Sequence, residues 1–386
     1  MQVHPSRAAN AENRNGFRML WQRRRMKHML PFHALEHPRD VVRNFTPNWF
    51  TLNMGTGITF LMLLQFPLAF PQRVRVVHAL YFFDLIFFTL FSLLLIARMV
   101  FHFRSFLQLM KHPVAPMFLG AIPMGMAPLI NAMHMMFNSD PAWQVAAWCV
   151  DVALCLVIGW AVPVAMFVAQ EHSLANMTGV WLLPVVPAEV AASSAGLLAQ
   201  HMPSTLGYPM VVAGYALWGM SMLTALGILA VLFFRLAVFK LPPRELGVST
   251  WLALGPLGTG GFALLTLGAA APRAMAGTEL AALGGVAGPI STIGALIVWG
   301  FGLWWLGAAV ATTLVQVARG LPFNLGWWGL TFPLGVFIAS TYALGASTGI
   351  AAFTWFAAVL TVWLVAIWSV IVVRSLHGMW HGHLLR

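Results

Sequence analysis

Three carboxylic acids stand alone within long apolar stretches of this 386-residue chain: Asp84, Asp151 and Glu189. An ionisable side chain in such surroundings is costly and marks a functional candidate. Glu189 is the most pointed of the three, because it closes the run L-P-V-V-P-A-E beside Pro187. Ionised, it repels a passing anion; held neutral by burial, it can carry or donate a proton. The competing reading is a structural hydrogen bond between helices, and inter-helix or subunit contact is the expectation for Asp84 and Asp151. Hydroxyls at Thr56, Thr259 and Thr331 and backbone amides freed at Pro and Gly breaks can donate to an anion. Phe332 stands immediately before Pro333 in the uncharged stretch Asn324–Ala343, where a proline bends or breaks a membrane helix. An interrupted helix is tolerated in lipid where protein packs around it or water reaches it, so this stretch is expected to line a pathway that Phe332 obstructs.

Histidines and cysteines offer a rival chemistry. His377, His381 and His383 form an H-x(3)-H-x-H pattern with metal-ligand spacing, but no acid or thiol nearby completes it, and a solvated tail is expected. Cys149 and Cys155 fall in apolar sequence and read as small buried residues rather than a disulfide framework. A membrane-embedded metal or haem oxidoreductase needs inward-facing histidine pairs. Here His134, His172 and His201 scatter near span ends, while His78 and His102 flank the second span. No G-x(4)-G-K-[ST] signature for direct ATP coupling is present. The expectation is a non-enzyme without metal or cofactor, with the oxidoreductase as the alternative of a different class.

The elements that position these residues follow from composition. The chain is 60% hydrophobic and 8% charged, which defines an all-α integral membrane protein. Ten spans are expected: Trp49–Phe70, His78–Val100, Ala115–Phe137, Trp143–Ala169, Gly179–Gln200, Gly207–Phe239, Thr250–Ala271, Leu280–Val315, Leu325–Ala343 and Gly349–Val373. The net charge of +11 is explained by topology rather than by nucleic acid. With both termini cytoplasmic, only Arg73, Arg75 and Arg273 of the 21 Lys and Arg fall on the opposite side. The basic segment 1–44 reads as a cytoplasmic tail at the anionic leaflet, with no secretory signal, followed by a transport domain over 45–373 and a short tail over 374–386.

The spans alternate in character. Even-numbered spans are bulky, as in Tyr81-Phe82-Phe83-Asp84-Leu85-Ile86-Phe87-Phe88, whereas odd-numbered ones are dense in Gly, Pro and small residues. Gly57, Pro123, Pro187, Pro256 and Pro333 mark a similar depth in the five odd spans. A unit that buries its small-residue face only against its neighbours accounts for such a repeat. The expected architecture is five helical hairpins in a quasi-five-fold ring, with the odd helices inside around a pore and the even helices against lipid. Its candidate lining residues are Gly55, Thr56, Gly57, Pro123, Pro187, Glu189, Pro256, Thr259, Thr331 and Pro333. No Lys or Arg lies deep in an odd span, so anion selectivity is expected from amides, hydroxyls and the overall positive potential rather than an arginine ring.

Pro47 to Ile58 (P-x-W-F-x(4)-M-G-T-G-I), Leu183 to Pro187 (L-P-V-V-P) and Trp327 to Pro333 (W-W-G-L-T-F-P) resemble the tellurite-resistance/dicarboxylate transporter family. That family includes the TehA channel, plant slow-type anion channels, and fungal malate permeases and sulfite pumps. The resemblance covers Phe45 to Val373. It implies a homotrimer in the cell membrane, each subunit with its own pore, and it matches Phe332 to the family's gate in the same T-F-P context. It also implies small inorganic or organic anions as substrates, leaving open C4-dicarboxylate, sulfite or a monovalent anion, and channel or proton-coupled carrier.

Overall fold

A computed structural model describes residues 37, 40–137, 140–381 and 384. Most of the basic segment 1–44, and His383 of the histidine pattern, therefore lie outside the described residues. Within them the chain is helical and contains no strand.

The principal helices are α1 (Phe50–Gln65), α2 (Arg73–Phe101), α3 (Ala121–Phe137), α4 (Pro141–Val168), α5 (Pro187–Ala199), α6 (Ser204–Phe239), α7 (Leu254–Ala274), α8 (Ala281–Ala318), α9 (Thr331–Thr348) and α10 (Ala351–Trp380). Among the described residues, eight stretches are long and apolar enough to cross a membrane. The first and fifth expected spans are not among them. α1 stops at Gln65 because Phe66 is extended ahead of Pro67, and α5 starts only at Pro187 after a short 3-10 helix at Gly179–Leu182.

The same division recurs in every odd helix. A 3-10 segment, at Pro47–Trp49, Ala115–Gly120, Gly179–Leu182, Ser249–Ala253 or Leu325–Leu330, leads into or shortly precedes the α-helix. Pro123, Pro187, Pro256 and Pro333 all fall within the first three residues of α3, α5, α7 and α9. There the missing N–H has no intrahelical partner to lose, so proline starts an α-helix without breaking one. The break near Pro333 thus lies at the 3-10/α junction between Leu330 and Thr331, not inside α9.

Burial follows side-chain size. In the odd span Leu325–Thr348, 83% of the most apolar window is buried, against 22% in α2, whose Phe82, Ile86 and Leu93 are exposed. Small residues permit the odd helices to touch. A Cβ on Gly258 would stand 2.5 Å from Phe337 N, and one on Gly120 would stand 1.9 Å from Leu183 O. α1 packs on α3, α3 on α5, α5 on α7, α7 on α9, and α9 on α1, and each odd helix also packs on the even helix that follows it.

Candidate anion pathway

A cavity of about 520 Å³ lies among the odd helices and draws its wall from all five: Ile58 of α1, Asn131 of α3, Ser193 of α5, Thr259 and Phe262 of α7, and Phe332 and Val336 of α9. Phe332 is 2% exposed and lines this space. The same residue borders a second void, of about 10 Å³, walled by Met54, Met124, Val186, Leu252 and Pro333. Pro333, Met54 and Leu252 in turn border a third, of about 40 Å³, reached by Thr51, Ser249 and Trp328. The voids share walls in turn, Phe332 being common to the first two and Met54, Leu252 and Pro333 to the second and third. The position of Phe332 in the first turn of α9, where the backbone changes from 3-10 to α, fixes that placement.

Glu189 is fully buried in the first turn of α5. Ser221 Oγ of α6 lies 2.8 Å from its Oε1, and Thr259 Oγ1 of α7 lies 3.1 Å from its Oε2. The carboxyl is therefore one hydroxyl removed from the wall of the large cavity, because Thr259 belongs to both.

Other residues singled out by sequence occupy the packing between helices. Gly55 is where α1 meets Thr331 and Trp328, since a Cβ there would stand 2.3 Å from Thr331 Oγ1. Thr331 Oγ1 donates to Trp328 O at 2.8 Å. Thr56 Oγ1 accepts from Trp368 Nε1 of α10 at 3.0 Å, which turns it toward an outer helix. Gly57 lies against Pro128, and Pro187 and Pro256 are buried helix-start residues, as is Pro123. Phe262, Asn131 and Ser193 line the cavity without having been singled out. For Phe262 the signal was its spacing of three from Thr259, which puts both on one face of α7, whereas nothing in the sequence set Asn131 or Ser193 apart.

Asp84 of α2 is held by α1: Asn53 Nδ2 donates to its Oδ1 at 2.8 Å and to its backbone O at 2.9 Å. Asp151 of α4 is buried with neither carboxyl oxygen hydrogen-bonded. At one end of the helices a further cavity of about 260 Å³ is bordered by Arg235, His172, Asn176 and Trp181. Arg235 is pinned there by Ala175 O and Lys240 O, and desolvation pushes His172 below the usual imidazole range. His377 and His381 bring their rings to 4.5 Å, while among the described residues no three His, Cys, Asp or Glu gather as a metal site.

The model of the SLAC1 family, described as voltage-dependent anion channel, matches residues 44–376. The chain is 37% identical over 370 residues to the sulfite efflux pump SSU1 of Trichophyton rubrum, covering 89% of this chain and 96% of that protein. It is 36% identical over 351 residues to the sulfite efflux pump SSU1 of Arthroderma otae, covering 86% and 92%. An uncharacterized transporter of Methanocaldococcus jannaschii is 29% identical over 314 residues, covering 80% and 86%. The motifs at Pro47, Leu183 and Trp327 and the match across most of the chain agree: this multi-pass membrane protein belongs to the SLAC1 family of anion transporters, which is the tellurite-resistance/dicarboxylate resemblance read from its sequence.

Proposed function

We propose that the chain conducts small anions, sulfite foremost, along the axis enclosed by α1, α3, α5, α7 and α9, with Phe332 as the gate. The observation that carries this reading is the Phe332 ring bordering both the 520 Å³ cavity and the void beyond it, with all five odd helices supplying the wall. The cyclic packing of α1, α3, α5, α7 and α9 supports ten crossings arranged as five hairpins in a ring, in which the composite first and fifth spans cross as a 3-10 segment plus an α-helix. Sulfite is the substrate favoured by the two SSU1 relatives. Malate and monovalent anions remain competitors in the same assay. The family's homotrimer and the cytoplasmic placement of both termini belong to the same proposal.

The test is reconstitution of wild-type and Phe332→Ala protein in planar bilayers, with currents and tracer fluxes recorded in sulfite, malate, nitrate and chloride under equal gradients. Anion flux that rises when the ring is removed is the expected result. Equal flux from well-folded wild type and variant would remove the gate role, and no anion flux from either would remove the transport reading.

A further inference from the structure

The two carboxyl oxygens of Glu189 each meet one hydroxyl, and each hydroxyl has a second oxygen within reach. Ser221 Oγ lies 2.8 Å from Glu189 Oε1 and 2.9 Å from Val185 O. Thr259 Oγ1 lies 3.1 Å from Glu189 Oε2 and 2.5 Å from Gly255 O. Four oxygen–oxygen contacts at hydrogen-bonding distance need hydrogens, and Ser221 and Thr259 hold one each. An ionised carboxylate leaves two of those contacts without a hydrogen. If both hydroxyls serve the backbone, a wholly buried charge is left with no side-chain donor, an expensive arrangement. A hydrogen on the carboxyl fills a third contact. The shortest of the four is Thr259 to Gly255 O, which commits the threonine hydrogen there and leaves the Thr259–Glu189 contact to be made by the acid proton.

Among the described residues no cationic side chain bonds the Glu189 carboxyl, and the amino-terminal end of α5, in whose first turn it lies, is what remains to offset a charge. α5 packs on α3, α4, α6 and α7. From α4 come Asp151 and Cys155, on the face whose Trp148 donates to Ala191 O of α5. α6 carries Tyr208, Tyr215 and Arg235, the last bonded to Ala175 O and Lys240 O. α7 carries Arg273, bonded to Gln200 O beyond the far end of α5, and the titratable residue of α3, His134, belongs to its last turn. Ser221 and Thr259 are the side chains that bond the Glu189 carboxyl.

Thr259 also walls the 520 Å³ cavity that Phe332 lines. We propose that Glu189 is protonated in the transporting protein and that its ionisation, felt one hydroxyl behind the cavity wall, shuts the pathway to anions. In that step the proton leaves Glu189 for the aqueous buffer. The hydroxyls of Ser221 and Thr259 turn from Val185 O and Gly255 O to the carboxylate, and one negative charge remains beside the anion path. Such a charge, at an effective dielectric of about 20, lowers anion entry by on the order of tenfold.

The inference rests on the anion-pathway reading, and its test separates the two. Sulfite efflux from vesicles holding full-length wild type or Glu189→Gln is measured from mildly acidic to alkaline buffer, and the ratio of variant to wild type at each pH cancels the titration of sulfite itself. The expected ratio stays near one in acid and climbs to about tenfold in alkali, because glutamine cannot ionise. Wild-type efflux with a flat ratio overturns the inference and leaves the pathway standing, whereas no sulfite efflux from wild type overturns both. Should Glu189→Gln not fold, Ser221→Ala takes its place: losing a donor to the carboxylate moves the loss of efflux to higher pH, and an unmoved profile overturns the proposal. Infrared spectra supply a readout that a purely structural role would not move, namely a protonated-carboxyl band in neutral buffer that is present in wild type and missing from Glu189→Gln.

Discussion

Asp151 holds two buried carboxyl oxygens without a hydrogen bond among the described residues, although it sits on α4 and does not line the cavity. A buried polar group without partners detracts from stability, and an apolar residue of similar shape does not carry that cost. Asp151→Leu is therefore expected to raise stability by about 1 kcal/mol, read as a higher Tm in detergent. A lower Tm would mean that the carboxyl has a partner in the assembled protein. Asp84 differs at one carboxyl oxygen, because Asn53 donates to its Oδ1 and to its backbone oxygen, while its Oδ2 has no hydrogen-bond partner among the described residues. Asn53→Ala leaves the buried Asp84 Oδ1 without its donor and is expected to cost about 1–3 kcal/mol. Phe332 already borders open space on two sides. Its truncation to alanine is expected to cost less than the roughly 3–5 kcal/mol of a close-packed phenylalanine. Since each 1.36 kcal/mol of barrier is tenfold in rate, a flux increase of at least about tenfold is the expected signature in bilayer recordings.

At the scale of the element, the recurring unit is a 3-10 entry followed by an α-helix with proline in its first turn. Proline there presets the backbone and sacrifices no hydrogen bond. Pro333→Ala is expected to change stability by less than about 1 kcal/mol, because the folded backbone accepts either residue and the difference lies mainly in the unfolded chain. It should still alter flux, since an alanine can extend α9 backward and move Phe332. Equal gating kinetics in variant and wild type would contradict that coupling. Gly258 tests the contact between odd helices: a Cβ there meets Phe337 N at 2.5 Å, a backbone atom that cannot turn aside. Gly258→Val is expected to destabilise by about 1–3 kcal/mol or more, visible as reduced recovery and lower Tm.

For the whole molecule, the distribution of small and large side chains sets inside against outside. Bulky α2, α4, α6, α8 and α10 leave apolar surface exposed, while the odd helices bury theirs against one another. The proposed orientation rests on the basic residues, and reporters fused at either terminus are expected to read the cytoplasmic side. One terminus on each side would refute the ten-crossing topology proposed above, and both on the far side would reverse its orientation.

The membrane class, the family and the alternation of exposed bulky helices with buried small-residue helices were legible in the chain, because hydropathy and side-chain size are local properties. The small-residue pattern at Pro123, Pro187, Pro256 and Pro333 announced five related helices, and T-F-P pointed to Phe332. Only the tertiary structure decided that those prolines start α-helices rather than bend them, since a proline's effect depends on where the backbone bonds begin. It likewise sent Thr56 to Trp368 and Gly57 to Pro128 while turning Thr259 to the cavity, because which face of a helix meets which neighbour is set by packing between distant segments. The hydroxyl pair around Glu189 shows the same limit: Ser221 and Thr259 lie on two other helices, and no spacing along the chain foretells their meeting.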